Sequence, residues 1–189
     1  MARLWHFLRA DMVGFYGTEP AWIDGEKRTA RGTLAMSRWG YHASTHVLDA
    51  VSYESGEVCL CRVALSGERV VDGSKICARS RRLLWHLSPE QTARVLHEFA
   101  CWVAEDALLR ERKWLVGEIG KKELDAAGAG AGAAAGATAR AGARAAAWAA
   151  AWAAAWDAAG AAPWERYSRK LDAMAMAAHR AAQRAAKEA

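Results

Sequence analysis

His6, Tyr41 and Asp72 are the residues on which chemistry can be built in this chain. His6 lies in the apolar run Arg3-Leu4-Trp5-His6-Phe7-Leu8-Arg9, Tyr41 follows a glycine in Gly40-Tyr41-His42-Ala43-Ser44, and Asp72 precedes Gly73 between two strand-like runs. An imidazole that titrates near neutrality, a phenol with an aromatic face and a carboxylate, carried by three separate elements, make a catalytic set if they line one cleft. Each also has a structural role open to it. A histidine on an apolar strand is commonly a satisfied core residue, a tyrosine after glycine can plug a core with its hydroxyl in water, and Asp-Gly is an ordinary turn pair. His42 and His46 stand four apart, which suits half a metal site, but no third ligand accompanies them and no metal is expected.

The elements that must position these groups can be read from periodicity. Arg3–Arg9, apolar and aromatic between charged ends, predicts a buried strand. Gly14 to Gly32, with Gly17, Pro20 and Gly25, reads as a loop that Trp22 anchors to the core and that returns to a strand near residues 33–37. Gly40-Tyr41 then turns into a short helix over Thr45 to Tyr53, where Val47, Leu48 and Val51 fall at helical spacing. Glu57 to Leu65 alternates as a strand, Gly67 turns it, and Arg81 to Leu87 forms another. Ser88-Pro89-Glu90-Gln91 is the clearest local signal: a serine cap, a proline at the first helical position and a glutamine that completes a capping box. The helix it opens should run to about Trp114, burying Val95, Leu96, Phe99, Trp102 and Val103, with Cys101 also in the core. The expected fold is α+β, a small mixed sheet with a long capping helix, followed by an alanine-rich helical arm.

Composition draws the domain boundaries. Much of the 53% hydrophobic content is alanine after Leu124, and alanine buries too little area to hold a core. The large apolar residues place an α+β domain at residues 1–120, a Gly/Ala-rich linker at 121–139 and a helical hairpin or arm at 140–189. Along that arm a distinct residue recurs every fourth position, and each step of four drifts by about 40° around a helix axis. Trp148, Trp152 and Trp156 therefore form one aromatic ridge. After Pro163, the residues Trp164, Tyr167, Leu171, Met174, Ala178, Ala181 and Ala185 follow at steps of three and four, the mark of a packed seam. Such a ridge calls for a cover: the seam itself, the domain, or another protein or second copy, with Trp148, Trp152, Trp156 and Trp164 as interaction residues.

Charge and cysteine usage exclude several classes. Most of the net charge of +5 is carried by the arm: residues 139–189 hold 8 basic and 4 acidic side chains, against 18 and 17 in residues 1–138, which argues against nucleic acid as the domain's partner. Cys59, Cys61, Cys77 and Cys101 contain no C-x-x-C pair and read as buried free thiols in a reducing cytoplasm. The longest uncharged run of the arm, Ala145 to Trp156, is twelve residues, where a spanning helix needs about 20. Arg3, His6, Arg9 and Asp11 interrupt residues 1–12 too often for a signal peptide.

Two resemblances add to this reading. Over about residues 1–115, His6-Phe7-Leu8-Arg9-Ala10-Asp11-Met12, Pro20-Ala21-Trp22, Gly25-Glu26, Gly40-Tyr41-His42-Ala43-Ser44, Asp49-Ala50 and Lys75 resemble an uncharacterised domain family of bacteria and phages with alanine-rich tails, which implies no activity. The order Tyr41-His42-Ala43-Ser44, Asp49-Ala50, Gly56, Val63, Gly67, Asp72, Lys75, Arg79-Ser80 is similar to small ADP-ribosyltransferases of the rifamycin-modifying type, without their His-Gly-Thr run. The second likeness implies an NAD site in which His6 bonds ribose hydroxyls, Tyr41 stacks on nicotinamide, Asp72 stabilises an oxocarbenium-like transition state, and Arg79, Arg81 or Arg82 pairs with pyrophosphate. Two functions are therefore expected: a non-catalytic bacterial or phage accessory module that assembles through its arm, or an NAD-dependent ADP-ribosyltransferase-like enzyme.

Overall fold

The computed structural model describes residues 3–15, 19–51, 57–121, 125 and 161–188. The α+β class holds, and the described residues form five strands and three helices: β1 (Arg3–Arg9), β2 (Lys27–Thr29), β3 (Tyr41–Ser44), α1 (Val47–Val51), β4 (Val58–Asp72), β5 (Lys75–His86), α2 (Pro89–Leu115) and α3 (Ala161–Glu188). Among the described residues every strand pairing is antiparallel, where a mixed sheet was expected.

The sheet closes on itself. β4 and β5 form a long hairpin, β1 lies along β4 from Arg3↔Ala64 to Arg9↔Val58, and β3 lies along β5 from Tyr41↔Ala78 to Ser44↔Lys75. β1 also meets β3, at Trp5↔Ser44, so the path β3–β1–β4–β5–β3 is a ring, with β2 added on β5. So few strands can close only by bending hard, and β4 bends at irregularities between Arg62 and Val63 and between Ser66 and Arg69. Gly67, expected to turn the chain, sits in the second of these. Its φ is +81°, and a Cβ there would come within 2.9 Å of the Arg79 Cβ. The true turn is six residues on, at Gly73, because pairing continues to Asp72↔Lys75.

The pleat then divides the strands' side chains between two cores. Leu4, Leu8, Cys59, Cys61, Val63 and Leu65 cluster on the inside of the closed sheet with Trp22, Tyr41 and Leu83. Trp5, Phe7, Val58 and Leu60 pack outward against the helices. The capping box of α2 forms as expected: Gln91 N–H donates to Ser88 Oγ and Ser88 N–H to Gln91 Oε1. Val95, Leu96, Phe99 and Val103 are buried; Trp102 is half-buried, and Cys101 is exposed rather than in the core. Residues 33–37 form no strand; their one ladder contact is Ala35↔Trp39.

The last helix belongs to the outer core. Tyr167, Leu171 and Ala175 of α3 are fully buried among Phe99, Val103 and Leu48, with Trp164, Met174 and Ala178 packed against them. The seam was legible, but its partner is the domain, so residues 161–188 extend the core beyond the boundary drawn at 120. Ala181 and Ala185 are exposed. Asp106 of α2 fixes this contact: it accepts hydrogen bonds from Arg166, Arg110 and the Tyr167 hydroxyl. Burial opposes its charge, but Arg166 and Arg110 outweigh that and hold its pKa below the usual carboxylate value. Asp172 in turn accepts from Val47 N–H and meets His46 Nδ1 at 2.8 Å, and Trp164 Nε1 donates to Asp49. The ridge of Trp148, Trp152 and Trp156, the linker apart from Lys121 and Asp125, and the expected hairpin partner of α3 lie outside the described residues.

Candidate functional site: a cavity opening from the closed sheet

The ring is weakest where β1 meets β3, since the two strands share a single register pair. A cavity of about 460 Å³ opens at this place, lined by Trp5 and His6 of β1, Gly40 to Ser44 on and before β3, Lys75 and Arg81 of β5, and loop residues that include Phe15, Glu19, Ser37 and Arg38. That is the size range of small-molecule sites.

Arg81 is the unusual member. It is 5% exposed, yet it carries a guanidinium into a layer otherwise filled by leucine, valine, cysteine and aromatic rings. Its cation lies over the Trp22 ring at 4.4 Å and the Tyr41 ring at 5.1 Å. Among the described residues it makes one side-chain hydrogen bond, Nη1 to the His42 carbonyl at 3.3 Å, although a guanidinium has five N–H groups. No carboxylate lies within ion-pair distance of it among the described residues. Burial lowers its pKa to about 10, so it stays charged at neutral pH.

That buried charge sets the protonation of its neighbours. His6 lines the cavity; burial first, then Arg81 and His42, hold its pKa well below the ordinary histidine value. His42 is pushed to about 4 by burial, Lys75 and Arg81. Both imidazoles are therefore neutral at pH 7. His42 Nε2 accepts from the Ser37 N–H at 3.0 Å, which places the ring proton on Nδ1 and makes that atom a donor. Burial and Glu19 raise Tyr41 to about 12, and its hydroxyl donates to Glu19 Oε1 at 2.7 Å. Lys75 Nζ donates to Ser37 Oγ at 3.1 Å.

Trp22 organises this wall. Its ring meets Tyr41 edge-on at 5.5 Å, and the guanidinium groups of Arg28 and Arg81 both lie over it, at 4.2 and 4.4 Å. Arg28 is itself held by both Glu26 oxygens and by the carbonyls of Pro20 and Ala21. The loop is thus anchored through Trp22, as its sequence predicts. Gly40 is the tight point beneath the cavity: its φ is +119°, and a Cβ would lie 2.5 Å from Cys77 Sγ and 2.8 Å from Leu34.

The structure brings three of the expected site residues together, His6, Tyr41 and Arg81, and leaves the others elsewhere. Asp72 is exposed at the hairpin end opposite Lys75 and does not line the cavity. The carboxylate beside Tyr41 is Glu19. Arg79 faces Glu68 and the carbonyls of Ala30 and Gly32 on the outer side, and Arg82 is exposed opposite Lys27. His42 and His46 are separated in role, one at the cavity and one on Asp172. Among the described residues no group of three or more His, Cys, Asp or Glu side chains is gathered as a metal site, and no helix is long and apolar enough to cross a membrane. The chain matches no protein-family model, no curated protein and no solved structure.

Proposed function

We propose that this protein is a non-catalytic binding module that takes a small anionic ligand into the cavity between β1 and β3. One observation carries the reading: Arg81 is buried, charged and unpaired by any carboxylate among the described residues, at the wall of a cavity of ligand size. A buried cation left in that state costs free energy, which an anion entering the cavity would offset through charge-assisted, forked hydrogen bonds. The accessory character expected from the sequence is kept, and the binding surface is moved from the arm to the domain.

A second reading, the NAD-using enzyme, draws support from His6 and Tyr41 sharing the cavity with Arg81. Its acid would then be Glu19 in place of Asp72, but Glu19 is already engaged by the Tyr41 hydroxyl and lies 3.6 Å from Arg28. That engagement favours the binding module.

The test is thermal unfolding with millimolar inorganic phosphate, benzoate or NAD. A ligand that binds only the folded state raises the midpoint by mass action. Stabilisation of the wild type by phosphate or benzoate, absent in Arg81→Met, is the expected result. A midpoint moved by none of the three contradicts both readings, and a shift with NAD alone that Tyr41→Ala abolishes favours the enzyme.

A further inference from the structure

We infer that the ligand is a monocarboxylate with an apolar body, held with its two carboxylate oxygens on the guanidinium of Arg81. This rests on the anion-binding reading above and narrows it to one chemical class.

Arg81 is the place where the wall can take up a charge. Of the three cations that line the cavity, Arg38 is exposed to water, and Lys75 is half-buried and already donates to Ser37 Oγ at 3.1 Å. The one carboxylate of the wall, Glu19, is engaged by the Tyr41 hydroxyl at 2.7 Å and lies 3.6 Å from Arg28. Arg81 alone of the three is buried, and its charge meets the rings of Trp22 and Tyr41. A monoanion balances it. A dianion would carry a second charge into a partly desolvated place with no further buried cation to meet it, and charge left in that state is costly.

The donors for a carboxylate belong to this one rigid group. Nη1 bonds the His42 carbonyl at 3.3 Å, which leaves Nε and Nη2 without an acceptor among the described residues. Nε of Arg62 is sealed in the interior and unbonded, but no nitrogen of Arg81 is in that state. The unused donors of Arg81 therefore reach accessible surface, and for a residue 5% exposed that surface is the cavity it lines. Nε–H and one N–H of Nη2 lie along the same edge of a planar guanidinium, so together they bind both oxygens of a carboxylate. Trp5, Phe15, Tyr41, Ala43 and Ala50 line the same space and offer the apolar body a surface on which to be buried.

The experiment is calorimetric titration of the full chain with benzoate, acetate and phenyl phosphate, at pH 7.5 and 5.5. Benzoate is expected to bind at least about tenfold more tightly than phenyl phosphate at pH 7.5, the worth of one uncompensated charge in a half-dry site. Carboxylates are ionised at both pH values, so benzoate affinity should hold, whereas phenyl phosphate should bind more tightly at pH 5.5, where its second proton is back in place. Acetate should bind more weakly than benzoate. Arg81→Met should abolish benzoate binding and Arg81→Lys, which keeps the charge without the fork, should weaken it. Phe15→Ala, at a half-buried position, should weaken benzoate and leave acetate unchanged, so it still reads the inference if the Arg81 variants fold poorly. Phenyl phosphate binding at pH 7.5 as tightly as benzoate overturns the monocarboxylate inference and leaves the anion site standing, and acetate binding as tightly as benzoate overturns the apolar body. Binding of none of the three by the wild type overturns both the inference and the anion site, as does benzoate binding that is unchanged in both Arg81 variants.

Discussion

The two faces of β1 belong to different kinds of interior. On the outward face Trp5 and Phe7 meet Leu60, Phe99, Val103, Leu171 and Ala175, an apolar layer between sheet and helices. On the inward face Leu4 and Leu8 flank His6, and the layer also contains Arg81, with a cavity at its edge. Alternate residues of one strand thus serve a layer that stabilises the fold and a layer that tolerates buried charge. The contrast divides a single sheet between an apolar layer packed on the helices and an inner layer that holds a buried cation beside a cavity.

Substitutions test that separation. The largest effect is expected from Leu171→Ala, which empties a fully buried place in the outer layer and should cost about 2–5 kcal/mol. Denaturant unfolding checks it, and a loss below about 1 kcal/mol would mean that α3 is peripheral. Asp106→Asn comes next. It removes the charge that Arg166, Arg110 and Tyr167 share, and breaking a pair of this kind costs up to about 3 kcal/mol, less here because Arg166 is partly exposed. Because the Asp106 pKa is depressed in the folded state, its contribution is present above the unfolded value and lost as pH falls through the folded one, so the variant should be less acid-sensitive over that range.

The inner layer predicts a different pH signature. The folded-state pKa values of His6 and His42 lie below the unfolded value, so the unfolded chain takes up protons first. Stability should be full above about pH 6.5 and fall toward pH 4, with each imidazole adding a slope of at most about 1.4 kcal/mol per pH unit, reduced by solvent screening. His42→Gln should flatten this slope, measured by urea unfolding at intervals of pH. An unchanged slope would take His42 out of the acid sensitivity.

Local signals in the sequence were sufficient for the elements that close short-range interactions. The capping box of Ser88 and Gln91 marks the start of α2, and the three-and-four rhythm from Trp164 to Ala178 marks the buried face of α3. What the seam packs against was not legible, because its partners, Phe99 and Leu48, lie far away in the chain. β3 was read as part of a turn: four residues are too few to show alternation. Gly67 was read as the turn because a glycine with positive φ serves a bulge as well as a hairpin, and the strand pairing that distinguishes them is non-local. His6, Tyr41 and Arg81 were all named from sequence, but their meeting depends on ring closure. Asp72 was placed with them by order along the chain, which carries no information on which side of a hairpin faces the cavity. Glu19 had no motif to mark it.

The most direct test of the account is the thermal unfolding midpoint of Arg81→Met against wild type, without ligand. Methionine keeps apolar bulk and removes a buried charge that no carboxylate pairs with among the described residues, and substitutions of that kind are commonly neutral or stabilising. If Arg81 is held for a ligand, the variant unfolds at the same temperature as the wild type or above it. A midpoint lowered by several degrees would show that Arg81, stacked on Trp22 and Tyr41, is a structural residue of the inner layer, and would contradict the assignment of the cavity as an anion site.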